Sequence, residues 1–174
     1  MPHIQPSSLP SPALLTKYAD SGAYTDCFVT EIARTVSHAE FVEAFYTGGL
    51  FKLERFLLRV FISKPSTDLQ ARQLAAGELN AFAAWRVEGR AVDQLLMCDV
   101  SGRTRSWLMV SAAEAPGRTR LYFGSAVVPR SSAVNPSTDK PGMGFVFKAL
   151  LGFHKLYSRA LQSAATKRLA RAER

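Results

Sequence analysis

The chain has 174 residues, 47% of them hydrophobic and 21% charged, and a formal net charge of +8. That length suits one domain able to bury roughly 70% of its unfolded surface, so disorder of the whole chain is excluded. Two cysteines exclude a disulfide scaffold, and three histidines in all argue against a three-histidine metal site.

In chain order, Met1 to Pro12 hold four prolines and three serines. Residues 1–20 therefore read as a flexible arm. They lack the apolar run of an export signal, so the expected compartment is a bacterial-type cytoplasm. Tyr24 to Ile32 alternates as a strand. Ser37 with Glu40 forms a capping box that opens a helix carrying Phe41, Val42, Ala44 and Phe45. Gly48-Gly49 interrupts it. A second helix spans Leu50 to Ile62, with Lys52, Arg55 and Arg59 on one stripe. It is too short and too charged to cross a bilayer. Ser66 or Thr67 caps a third helix that runs to Ala76 and stops at Gly77.

Strand patterns follow at Phe82 to Glu88, Asp93 to Val100, Arg103 to Ser111 and Arg118 to Val128. Ser101-Gly102 and Ala115-Pro116-Gly117 supply short turns, so the last three strands are antiparallel. Pro129 to Gly144 reads as a loop. From Phe145 a long helix carries an apolar stripe through Val146, Ala149, Leu150, Phe153, Leu156, Tyr157, Ala160, Leu161 and Ala164. The basic run Lys167, Arg168, Arg171 and Arg174 solvates and caps its end.

The order is β-α-α-α-β-β-β-β-α. It predicts an α+β domain in which a curved antiparallel sheet grips the long C-terminal helix. The expected division is residues 1–20 as the arm, 21–166 as the domain and 167–174 as the basic helix end.

The segments Tyr24-Thr25-Asp26-Cys27-Phe28, Trp107-Leu108-Met109-Val110, Leu121-Tyr122-Phe123-Gly124-Ser125 and Phe153-His154-Lys155-Leu156-Tyr157-Ser158 resemble a bacterial family of uncharacterised proteins. That family is allied to the START and polyketide-cyclase (SRPBCC, helix-grip) superfamily. The element order resembles the helix-grip fold over roughly Tyr24 to Ala164. The resemblance implies a cavity between sheet and C-terminal helix that holds an apolar small molecule. Some superfamily members catalyse cyclisation or hydrolysis there, and others only carry a ligand.

Six residues are candidates for lining such a site. His154 sits at the edge of the last helix's apolar stripe. It reads either as a proton shuttle or as a boundary histidine bonded to backbone or water. Tyr157, central on the stripe, could orient a ligand through its hydroxyl or simply pack. Trp85 and Trp107 lie on strands and could line an apolar pocket. Arg105 shares a face with Trp107, which is odd for a plain core. Tyr122 lies nearby. Arg103, Arg105, Arg118 and Arg120 with Tyr122 and Trp107 also suggest a single-strand nucleic-acid platform. A solvated face pairing with Glu114 and Asp99 is the simpler account, because no RNP or helix-turn-helix pattern accompanies it.

Cys27 and Cys98 read as buried thiols. No Gly-x-Ser-x-Gly, carboxylate pair or phosphate loop is present, and no cofactor is implied. The leading reading is an apolar-ligand binding or carrier protein. The alternatives are a cyclase, isomerase or hydrolase using His154 and Tyr157, and a basic interaction module.

Overall fold

The computed structural model describes residues 3–48, 66–128 and 160–170. The helix expected over Leu50 to Ile62, the loop Pro129 to Gly144 and the first part of the last helix lie outside them. The described chain is α+β. Its elements are β1 (Gln5–Pro6), α1 (Thr16–Asp20), β2 (Tyr24–Ile32), α2 (His38–Tyr46), α3 (Asp68–Ala76), β3 (Ala81–Phe82), β4 (Trp85–Ala91), β5 (Gln94–Asp99), β6 (Thr104–Ala112) and β7 (Thr119–Val127). Residues 160–170 form a C-terminal helix, α4. The strands make one seven-stranded antiparallel sheet in the order β1-β2-β7-β6-β5-β4-β3.

Local chemistry sets the element ends. The Ser37 hydroxyl accepts from the Glu40 N–H at 3.2 Å, and the Glu40 carboxylate accepts from the Ser37 N–H at 2.8 Å. Thr67 and Gln70 repeat this reciprocal cap on α3, and Gly77 ends that helix in the left-handed region at φ 85°. Gly102 and Gly117, both at φ 71°, make the turns expected on either side of β6.

Alternation along each strand splits the sheet's side chains between two faces. One face carries Ile32, Leu95, Met97, Leu108, Leu121 and Phe123. They pack under α2, α3 and α4 through Phe41, Phe45, Leu74, Leu161, Ala165 and Leu169. Phe45 stacks on Phe123 with centroids 5.0 Å apart. The other face carries Cys27, Val29, Leu96, Trp107, Met109, Tyr122 and Ala126, beneath Leu9, Ala13, Leu14, Leu15 and Tyr18 of the N-terminal segment.

Three expectations need correction. Of the flexible arm expected over residues 1–20, residues 5–18 are instead packed against the sheet. Gln5 and Pro6 pair with Val29 and Phe28, and Leu15 is wholly buried. Proline and serine content describes what a segment does alone, whereas the leucines find a partner only once the sheet exists. The strand expected from Phe82 to Glu88 is two strands, because Ala83 takes φ 52° and reverses the chain so that Phe82 pairs with Trp85. Alanine carries the smallest side chain that can be strained there, and it gives no turn signal in the sequence.

Of the basic end, Lys167 and Arg168 are exposed, and Arg171 and Arg174 lie outside the described residues. Leu169 is buried, and Arg168 Nη1 donates to the Thr47 carbonyl at 2.8 Å, capping the C-terminal end of α2. Ala160, placed on the apolar stripe, is exposed, while Gln162 and Thr166 are buried.

Candidate functional site

The face under the helices is not uniformly apolar. Register places Phe28, Phe123, Leu108 and Leu95 side by side across β2, β7, β6 and β5. One pleat further along stand Asp26, Ser125, Ser106 and Met97. Ser125 and Ser106 are buried. The Asp26 carboxylate accepts from the Ser125 hydroxyl at 2.5 Å and from its N–H at 3.1 Å, and the Tyr24 hydroxyl approaches it at 3.4 Å. Burial, reinforced by the neighbouring Asp26 charge, pushes the Tyr24 hydroxyl up to about 12, so it stays protonated as a donor.

On the other side of the phenylalanine row stands Thr30, beside Leu121. α4 reaches this region through Gln162, which has no exposed surface. Its Nε2 donates to the Leu121 carbonyl at 2.9 Å and to the Phe28 carbonyl at 3.3 Å. Its Oε1 has no hydrogen-bond partner among the described residues, and neither has the Thr30 hydroxyl, 2% exposed. An unpaired buried oxygen costs about 1–3 kcal/mol, so a partner is expected for each.

The six candidate residues do not come together. Trp85 is half-buried against the core under the helices. Arg105, Trp107 and Tyr122 belong to the opposite face, away from α4. His154 and Tyr157 lie outside the described residues. One face of the sheet therefore does not carry Trp85 together with Arg105, Trp107 and Tyr122. Strand period told which residues go together, but not which set meets the helices.

On that opposite face the polar groups are paired. Trp107 Nε1 donates to Gln94 Oε1 at 2.9 Å. Arg105 Nε donates to Glu88 Oε2 at 3.0 Å and to the Tyr18 hydroxyl at 2.8 Å, and its guanidinium covers the Tyr18 ring. Glu88 also accepts from Tyr18 and from Lys17, the latter at 2.7 Å. Burial works against the Glu88 carboxylate, but the bonds from Lys17 and Tyr18 and the nearby cations outweigh it and hold it at about 2. This ion cluster explains why an arginine shares a face with Trp107.

The four arginines do not form one platform. Arg103 and Arg105 lie at the start of β6, while Arg118 and Arg120 lie at the start of β7, at the far end of that antiparallel pair. Arg120 meets Glu114 at 3.1 Å, and Arg118 and Arg120 flank Glu31 at 4.0 and 3.8 Å beside an open groove of about 460 Å³. Asp99 accepts instead from the backbone N–H groups of Arg103 and Thr104.

Both cysteines are buried and free, and burial, then Asp26, pushes the Cys27 thiol up to about 12. His38, half-buried at the start of α2, is lowered to about 4 by burial. Among the described residues no three His, Cys, Asp or Glu side chains are grouped to hold a metal, and no helix is long and apolar enough to cross a membrane.

No protein-family model matches the chain, and no curated protein or solved structure matches it.

Proposed function

We propose that this chain is a small-molecule binding or carrier protein of the helix-grip, START-like kind. Its ligand has an apolar body and at least one polar group, held between the sheet and its helices. The observation that carries this reading is the pair of unpartnered buried oxygens, Thr30 Oγ1 and Gln162 Oε1, beside a row of Phe28, Phe123, Leu108 and Leu95. Binding sites are mostly apolar, with a few placed polar groups that orient the ligand. Gln162 Oε1 accepts a ligand N–H or O–H, and the Thr30 hydroxyl can donate or accept. The Tyr24, Asp26, Ser125 and Ser106 cluster offers further polar groups at the other end of the same wall.

Support for the superfamily reading is the element order, with a helix following the first long strand and the C-terminal helix lying on the sheet. The mass of the native protein, compared with its denatured mass, tests the proposal. An excess that disappears on denaturation, and that falls in Thr30→Val, supports it. A native mass equal to the chain mass from several expression hosts, with no Tm shift across a lipid and metabolite panel, sinks it.

A further inference from the structure

The face of the sheet away from the helices holds residues 5–18 as a groove holds a peptide. Sheet side chains read the segment's backbone. Gln94, 4% exposed, donates through Nε2 to the Pro12 carbonyl and accepts through Oε1 from the Leu14 N–H, both at 2.9 Å. The edge of β2 adds β1 as a short strand, extended by Ser7 N–H to the Cys27 carbonyl at 3.0 Å. Leu15 fills a hollow that exists because residue 124 is glycine. A Cβ there would stand 2.9 Å from both Leu15 Cδ2 and Trp107 Cε3. Lys17 and Tyr18 close the far end on Glu88 and Arg105.

None of these contacts requires the segment to belong to the same chain. The link back into β2 is only residues 21–23, and it turns on Gly22 at φ 76° with nothing within 4 Å of where a Cβ would lie. We propose that this face is a peptide-binding groove which residues 5–18 fill as an intramolecular ligand, and which the same residues of a second copy fill in an exchanged dimer. Exchange of an identical element makes every contact twice over and opens only the hinge. In the closed monomer the tether raises the segment's local concentration, so exchange is favoured where closure of the hinge is penalised.

Gly22→Val in the full chain is the test. Valine is penalised at positive φ but not in an opened, extended hinge. The monomer–dimer constant should shift toward dimer by about tenfold or more per hinge. Native mass spectrometry of mixed isotopically light and heavy protein reads this as a mixed dimer, in which carbodiimide coupling of Lys17 to Glu88, 2.7 Å apart, should join a light chain to a heavy one. Wild-type protein is also mixed at high concentration, warmed to just below its Tm and cooled, which covers the case in which the variant fails to fold. Mixed dimers whose Lys17–Glu88 link joins two chains support the proposal. Monomer alone in both experiments, or a dimer in which that link stays within one chain, overturns it.

Discussion

The face under the helices buries the larger apolar cluster, and the two faces of the sheet treat their polar groups differently. On the face under the N-terminal segment, Gln94 uses both ends of its amide, Trp107 has its acceptor, and Arg105, Glu88, Lys17 and Tyr18 satisfy one another. Under the helices, Thr30 and Gln162 each keep an oxygen unpartnered among the described residues. A saturated face is built for adhesion, because every buried polar group already has its bond. The helix side is where the proposed ligand would find unused acceptors.

This contrast can be broken most sharply on the saturated face. Leu15→Ala empties the hollow over Gly124 and should destabilise the protein by about 2–5 kcal/mol, read by urea unfolding. Gly124→Ala attacks the same hollow from below. Its added methyl meets the Asp26 carbonyl as well as Leu15 and Trp107, so about 1–3 kcal/mol should be lost even though alanine is usually benign in size. Gln94→Ala strands the Trp107 N–H and two backbone groups, and should cost a similar amount, about 1–3 kcal/mol. Hydrogen exchange should then rise first in residues 12–18.

On the unsaturated face the outcome reverses. Thr30→Val removes an unpaired hydroxyl at nearly constant shape, so stability should change by no more than about 1 kcal/mol, with a gain the expected direction. Any retained ligand should be lost. A drop of several kcal/mol in Tm-matched unfolding would mean that Thr30 is structurally bonded, and the contrast would fail.

Acid separates the faces most gently. His38 has a folded-state value of about 4 against an ordinary 6.5, so its contribution is full above pH 6.5 and fades as pH falls toward 4. Glu88 is lowered from 4.5 to about 2, so the clamp on the N-terminal segment persists to lower pH and fades only between about pH 4.5 and 2. Global stability should begin to fall before the N-terminal segment loosens. Unfolding series at pH 7, 5 and 3 with exchange readouts check the order, and His38→Asn should remove the first step.

The expected likeness to helix-grip proteins, which rests on element order, points to the helix side of the sheet. It gave no means to see that Arg105, Trp107 and Tyr122 face away from that side. Asp26 was within reach of the sequence, since it alternates in step with Phe28 and Ile32 and an acid on the inward register is unusual. Thr30 and Gln162 carried a weaker signal: a polar residue inside an apolar run is common, and only three-dimensional pairing tells whether its bonds are met.

Sequence by itself determined the features that depend on neighbours in the chain. These are the reciprocal caps at Ser37 and Thr67, the glycine turns at 102 and 117, the alternation of the long strands and the helical run at residues 160–170. Each follows from backbone preference and hydrogen bonds spanning a few residues. Tertiary structure alone decided the turn at Ala83, the seating of residues 5–18, the division of the aromatic residues between two faces and the unpartnered oxygens of Thr30 and Gln162. Those depend on register and on contacts between residues as far apart as Leu14 and Gln94 or Phe28 and Gln162, whose energies exist only after the sheet has formed.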